Sequence, residues 1–139
     1  MFFETANKLA TGNHPQTEVN ILLDAFALHT RNLFEFLYPS SKKNPFPTDI
    51  IVTDYLENFA VYGREKTKKK DLLFVWRKAS KQVIHLTYTR NRYSARTKPW
   101  RFLDVAQKMH KTLAAFYESL PQEYKDWPYF QNLKQLLGI

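Results

Sequence analysis

Apolar residues recur at intervals of three and four in two long stretches of the chain. In the first, after Thr17, the recurring positions are Leu22, Phe26, His29, Leu33 and Phe36. In the second, after Pro99, they are Phe102, Ala106, Met109, Leu113, Phe116 and Leu120. This spacing gathers side chains on one face of an α-helix. The pattern predicts two long helices, from Thr17 to about Leu37 and from Pro99 to Leu120, each with one buried face.

Short helices are predicted at both ends of the chain, over Phe2 to Thr11 and over Tyr129 to Leu137. The seven prolines and three glycines fall between the periodic segments, where helices are interrupted. We therefore expect an all-α protein, a single domain over residues 1–139 built as a bundle of four main helices with short terminal helices.

A third helix is expected between Thr48 and Gly63. Thr48 suits the N-cap position, Asp49 would lie near the positive end of the helix dipole, and Gly63 would end the helix. Its apolar face would consist of Val52, Tyr55 or Leu56, Phe59 and Tyr62.

A fourth helix is expected to begin at Asp71 as its cap and to carry two different faces. The apolar stripe is Leu72, Trp76, Ala79, Val83 and Leu86. A second stripe with the same spacing consists of Lys78, Lys81, His85, Tyr88 and Arg92. The helix would thus bury one face and present a basic face that contains a histidine.

Three segments are predicted to be exposed, flexible loops. Residues 38–47 contain three prolines, which interrupt helices. Residues 63–70 include the run from Arg64 to Lys70, which has charged side chains and no apolar residue to bury. Residues 91–98 form a second basic loop.

Positive charge is concentrated in the middle of the chain. The segment from Arg64 to Arg101 holds 13 of the 21 Lys and Arg residues and two acids, Glu65 and Asp71, a local charge of +11. Since the whole chain carries +8, the remainder carries −3. The asymmetry favours one surface that meets a polyanion. Aromatic rings among the cations favour RNA, because bases stack on rings; these residues are Tyr88, Arg90, Arg92, Tyr93, Arg96, Lys98, Trp100 and Arg101.

Composition excludes several classes. A chain of 139 residues with 44% apolar residues is long enough for one core, and without cysteine it forms no disulfide and no thiolate metal site. No apolar run is long enough for a membrane span, and no leader pattern is present, so a cytoplasmic protein is expected. A glycine-rich phosphate loop and a recognisable set of metal ligands are also missing, and we expect no cofactor.

His85 is the candidate for chemistry, because histidine titrates near neutral pH and can move a proton during phosphodiester transfer. Lys81, one turn earlier, would hold the phosphate. Four further residues would bind RNA: Lys78, Tyr88, Arg90 and Arg92. The alternative is that His85 is a surface or core-edge histidine with incidental neighbours. His29, on an apolar stripe, is expected to be structural. His14 and His110 have no assigned role.

Two segments resemble small helical bacterial proteins that carry a HEPN-type domain. The segment from Leu28 to Leu37, which begins Leu28-His29-Thr30-Arg31-Asn32-Leu33, resembles the His-x-Arg-Asn-Leu start of some divergent members. Ser80 to Arg90 resembles their Asn-Lys-x-x-x-His-Leu-Thr block. The resemblance covers Glu18 to Leu120 in helix order. In HEPN ribonucleases, two Arg and His motifs meet across a homodimer and form a metal-independent site that cleaves RNA.

The match to this hallmark is incomplete. His85 takes the histidine position, but Ser80 replaces the expected Asn and Ala79 stands where the Arg would fall. Local cations are Lys81 and the more distant Arg77, and Tyr88 follows His85 by three residues where toxin members often have two. We hypothesise that Arg31 supplies the missing guanidinium. The resemblance also places Asn32 and Ser80 among the binding residues.

The leading expectation is a HEPN-like RNA-binding protein, either a metal-independent ribonuclease or a catalytically weakened relative. It would act as a homodimer in a toxin, phage-defence or stress role, with an antitoxin or other protein as partner. Two alternatives fit the same residues. One is a noncatalytic module that binds RNA or a protein partner, and the other is a scaffold that meets an acidic partner through Arg64 to Lys70.

Overall fold

The computed structural model describes residues 1–39, 48–80 and 100–139, and these residues contain helices and no β-strand. The all-α class is therefore confirmed for the described part of the chain. Its helices are α1 (Phe2–Thr11), α2 (Gln16–Leu37), α3 (Phe59–Glu65), α4 (Lys69–Ala79), α5 (Phe102–Glu118), α6 (Gln122–Lys125) and α7 (Pro128–Leu137).

The helices form two compact units, each built from two separate stretches of chain. Unit 1 comprises Met1–Phe34 and Lys69–Gln107, and unit 2 comprises Glu35–Lys68 and Lys108–Ile139. The boundaries fall inside α2 and α5, so each of these helices contributes residues to both units.

Unit 1 is organised around the buried ring of Phe26 on α2. Phe2 of α1 stacks on this ring with centroids 5.3 Å apart. Phe102 of α5 and Trp100 meet it edge to face, at 5.1 Å and 5.9 Å. Offset and edge-to-face pairs of this kind are the favoured aromatic geometries. The ring cluster therefore joins α1, α2 and the start of α5.

The buried face of α2 is rotated relative to the predicted stripe. Leu22, His29, Leu33 and Phe36 are only partly buried, whereas the fully buried positions are Phe26, Ala27, Thr30, Phe34 and Leu37. The Thr30 hydroxyl is satisfied within the helix, because it donates to the Phe26 carbonyl at 2.7 Å. A threonine whose hydroxyl bonds within its own helix can be buried without another partner. The apolar periodicity did not predict that Ala27 and Thr30 are buried.

The first part of the fourth predicted helix is confirmed as α4. Leu72 and Ala79 are fully buried as predicted, and Trp76 stacks on Phe34 of α2 at 5.9 Å. The proposed cap at Asp71 is wrong, since α4 begins at Lys69 and Asp71 lies in its first turn. A carboxylate there still interacts favourably with the helix dipole. Val83 and Leu86 lie outside the described residues.

The single helix expected from Thr48 to Gly63 is wrong at its beginning. Thr48 and Asp49 precede a short 3-10 turn over Val52–Asp54. The Asp54 carboxylate accepts the Ile51 backbone N–H at 2.7 Å. A local side-chain bond of this kind competes with helical pairing and closes a turn instead.

The helical part of that predicted segment, α3, starts later and ends later than expected. α3 starts only at Phe59, and its cap is Asn58, whose side-chain oxygen accepts the Ala60 N–H at 3.0 Å. Gly63, the expected terminator, lies inside α3, which continues to Glu65. Asn58 matches the cap preference that the sequence analysis had assigned to Thr48.

Residues 63–70 do not form the expected flexible linker. Arg64 and Glu65 complete α3, Lys69 begins α4, and Thr67 between them is buried. The Thr67 hydroxyl donates to the Lys108 carbonyl at 3.0 Å, and its own carbonyl accepts the Tyr38 hydroxyl at 2.7 Å. Because its polar groups have partners, Thr67 is buried at little cost and anchors the connection.

Unit 2 is organised around Phe116 of α5. Its ring meets Phe36, Tyr55 and Phe130 edge to face, with centroids 5.3, 6.2 and 6.0 Å away. The predicted face of α5 is confirmed, since Ala106, Met109, Leu113, Phe116 and Leu120 are all buried. The predicted closing helix is α7, whereas α6 had no counterpart in the sequence prediction.

Within residues 1–39, 48–80 and 100–139, no helix has the length and apolarity needed to cross a membrane.

Candidate nucleic-acid interface

The predicted site falls into two groups. Lys81, His85, Tyr88, Arg90 and Arg92 lie outside the described residues, so their roles stay predictions. The structure describes the other four: Arg31, Asn32, Lys78 and Ser80, which all belong to unit 1.

Arg31 and Asn32 lie on α2, where Arg31 is partly buried and Asn32 is exposed. Arg31 is one turn before Phe34, the residue that stacks on Trp76 of α4. The predicted guanidinium is thus one helical turn from the contact between α2 and α4. Ser80, at the end of α4, is buried, and its hydroxyl has no hydrogen-bond partner within the described residues.

Lys78 and Trp100 lie near the two ends of the stretch from Arg77 to Arg101 and touch each other. The Lys78 ammonium lies 4.5 Å from the centroid of the Trp100 ring, within the range of a cation–π interaction. Trp100 is held in turn by a parallel stack on Phe102, with centroids 6.1 Å apart and an interplanar angle of 2°. The contact brings the two ends of the stretch between Lys78 and Trp100 together in unit 1.

This stretch is strongly cationic. From Arg77 to Arg101 the sequence holds no Asp or Glu and eight Lys and Arg residues: Arg77, Lys78, Lys81, Arg90, Arg92, Arg96, Lys98 and Arg101. The side chains at its two ends, Arg77 and Arg101, are exposed. Both guanidinium groups are therefore accessible to a phosphate backbone, for which arginine is well suited.

The solvent face of α4 adds an aromatic residue that the sequence analysis missed. Phe74 is 49% exposed and lies four residues after Lys70 and three before Arg77, both of which are also exposed. Residues at these intervals share one face of a helix. The available signal was the offset of Phe74 from the apolar stripe of Leu72 and Ala79, which places it on the opposite side.

One lysine of the basic segment is turned into unit 2. The Lys66 ammonium lies 4.9, 4.8 and 4.5 Å from the ring centroids of Tyr38, Phe59 and Tyr62. Three rings around one ammonium form an aromatic cage. Lys66 therefore contributes to the internal packing of unit 2, whereas Arg64, Lys68 and Lys70 are exposed.

The cage is supported by a buried tyrosine. Tyr62 donates its hydroxyl to the Leu37 carbonyl at 2.8 Å. Its burial, with a smaller contribution from Tyr38, raises the pKa of the Tyr62 hydroxyl above the ordinary value of 10.0. Tyr62 is consequently a neutral hydrogen-bond donor at physiological pH.

Two histidines outside the predicted site have structural contacts. His110 lies 3.0 Å from the Leu137 carbonyl through Nε2, so its ring N–H donates to the last turn of α7. His14 has Nε2 at 3.1 Å from the Lys8 carbonyl and Nδ1 at 3.2 Å from the Glu18 carboxylate, so it links the end of α1 to the start of α2. This pair was not predicted from the sequence, although Glu18 follows His14 by four residues.

The described residues contain no group of three or more His, Cys, Asp and Glu side chains that could hold a metal ion. Comparison of the chain with protein-family models, characterised proteins and solved structures gave no match. The HEPN-type domain therefore stays a prediction from the two sequence segments that resemble it.

Proposed function

We propose that the protein binds RNA through the stretch from Arg77 to Arg101. The observation that carries this proposal is the contact between Lys78 and Trp100, because it holds both ends of an acid-free, eight-cation stretch on the same unit. The stretch carries eight positive charges and no negative charge over 25 residues, which suits a polyanion. Aromatic residues within the stretch suit unpaired bases.

Binding through this stretch should depend strongly on salt, because each neutralised phosphate releases counterions. For single-stranded RNA, log K is expected to fall with log salt with a slope of about −0.7 per phosphate contact. If all eight cations engage phosphates, the slope is about −5.6; if half do, it is about −3.

The test is fluorescence anisotropy of labelled single-stranded RNA, measured between about 50 and 200 mM salt. Replacing both Arg77 and Arg101 with glutamine should weaken binding and reduce the slope by about 1.4. The matched control replaces Lys111 and Lys134, which are also exposed but belong to unit 2. Equal losses in the two variants, or no binding by the wild type, would refute the proposal.

We extend the proposal to metal-independent cleavage of the bound RNA by a homodimer, as the HEPN resemblance implies. His85 would accept the proton of a 2′-hydroxyl, whose oxygen attacks the adjacent phosphorus while the bond to the 5′-oxygen breaks. The 5′-oxygen takes up a proton from water, a 2′,3′-cyclic phosphate remains, and His85 then returns its proton to the solvent. Lys81 and Arg31 would stabilise the charge that develops on the phosphate. A toxin, phage-defence or stress role follows from the same resemblance.

Cleavage should persist in chelator and be lost in His85→Ala. His110→Ala is the control, because His110 has a structural contact with α7. An unchanged cleavage rate in His85→Ala would remove His85 from the mechanism. Light scattering on the wild-type protein tests the homodimer, and a monomer that still cleaves RNA would contradict the dimeric site.

One structural observation favours the noncatalytic alternative. Ala79, at the position of the missing motif arginine, is fully buried on α4. An arginine at this position would require a charged side chain in the packed interior of unit 1, which is costly without a partner. A noncatalytic RNA-binding protein predicts the same salt dependence as the ribonuclease, but no cleavage product.

A further inference from the structure

The solvent face of α4 combines one aromatic ring with a cation on each side. Phe74 is 49% exposed, and Lys70 and Arg77 are exposed at the neighbouring positions of the same face. At a rise of 1.5 Å per residue, the backbone positions of Lys70 and Arg77 are separated by about 10.5 Å along the helix axis. Both side chains are long and flexible, so their charged groups reach phosphates on either side of the ring.

Charge identifies the kind of partner that suits this ring. Arg77 is the first cation of the acid-free stretch. Lys70 is the last of three consecutive exposed lysines, Lys68 to Lys70. A hydrophobic partner helix would have to desolvate both cations beside the ring, at a cost. An unpaired nucleotide chain instead supplies phosphates for the cations and a base for the ring.

We infer that Phe74 stacks on an unpaired base of the bound RNA, while Lys70 and Arg77 contact the flanking phosphates. This inference rests on the proposed RNA binding and specifies its ligand as single-stranded. In a duplex the bases are already stacked on each other, so their faces are not available to Phe74. Stacking on a ring tolerates any base, so little sequence preference is expected at this contact.

The experiment compares Phe74→Ala with Leu103→Ala. Leu103 is 46% exposed on α5 in the same unit, so its truncation removes a similarly exposed apolar side chain from a different helix. The probes are labelled oligouridylate, a labelled RNA duplex and heparin, which offers negative charge without bases.

Phe74→Ala should weaken oligouridylate binding by about 5- to 150-fold, whereas Leu103→Ala should leave it unchanged. The salt slope of Phe74→Ala should equal that of the wild type, because no cation is lost. Arg77→Gln should instead reduce the slope by about 0.7. Phe74→Trp should restore binding, and neither duplex nor heparin affinity should respond to Phe74→Ala.

The outcomes separate the two proposals. If the wild type does not bind oligouridylate, the proposed RNA binding fails. If it binds and Phe74→Ala binds equally well, RNA binding stands and the stacking role of Phe74 is overturned. Equal losses of oligouridylate and heparin binding in Phe74→Ala would also overturn it, because the ring would then act on charge binding or folding.

Discussion

Replacement of Gly63 by alanine should stabilise the protein, although the sequence pattern marks this glycine as the end of a helix. Gly63 lies inside α3, where glycine is less favourable than alanine because the unfolded chain loses more conformational freedom. A Cβ added at Gly63 would meet no heavy atom within 4 Å, so the methyl group introduces no clash. The expected gain is about 0.5–1 kcal/mol of unfolding free energy.

The gain should appear in global unfolding, because α3 is tied to the core of unit 2. Tyr62, the residue before Gly63, is fully buried and donates its hydroxyl to the Leu37 carbonyl. For a chain of this size, we expect a rise in the melting temperature of about 2–4 °C per kcal/mol. Urea unfolding followed by circular dichroism gives the free energy, with an unchanged slope against denaturant.

Gly138→Ala is the control, and it should lower the free energy of unfolding. Gly138 has a φ of 68° at the end of α7, a left-handed conformation that alanine adopts at a cost of about 1 kcal/mol. The reasoning on α3 is refuted if Gly63→Ala lowers stability as Gly138→Ala does. That result would favour Gly63 as the end of a helix, as the sequence pattern predicted.

Three further predictions concern the buried polar and cationic groups of unit 2. Tyr38→Phe removes the donor to the buried Thr67 carbonyl and should cost about 1–3 kcal/mol in urea unfolding; a loss near zero would show that this carbonyl finds another donor. Lys66→Met should lower stability by about 1–2 kcal/mol through loss of the ammonium in the ring cage, whereas Lys66→Arg should retain most of it; equal melting temperatures of the Met and Arg variants would contradict a cation–π role. Because the pKa of Tyr62 is raised above 10.0 in the folded state, its contribution is complete below pH 10 and is lost as pH rises further; alkaline unfolding should therefore begin later in Tyr62→Phe, compared at equal starting stability, and an identical pH profile would contradict this.

The inward position of Lys66 also changes the interpretation of the basic run from Arg64 to Lys70. The sequence presents it as one solvated cluster, but Lys66 lies among three rings and Thr67 is buried. The cations available to a partner at this run are the exposed ones, such as Arg64, Lys68 and Lys70. Charge neutralisation at Lys68 and Lys70 therefore tests partner binding, whereas neutralisation at Lys66 tests folding.

The candidate site could be predicted only in part from the sequence. Charge density is additive along the chain, so the basic stretch and Lys78 were identified from composition and spacing. The contact of Lys78 with Trp100 depends on how α4 packs near the start of α5, which no local pattern encodes. The exposure of Phe74 was not predicted, because the sequence does not show whether an aromatic residue of a basic helix is buried or exposed until the buried face of that helix is known.

The sequence by itself determined α5, because a repeat of three and four is a local property that the helical backbone imposes, and it also indicated the short helices α1 and α7. Only the tertiary structure decided the rotation of α2, the late start of α3 and the burial of Thr67. For Ala27, Thr30 and Thr67, a small side chain or a hydrogen bond made burial possible where apolarity alone does not mark it. For α3, the local hydrogen bonds of Asp54 and Asn58 set where the helix starts. The physical reason is that burial depends on partners distant in sequence, whereas helix formation depends mainly on near neighbours.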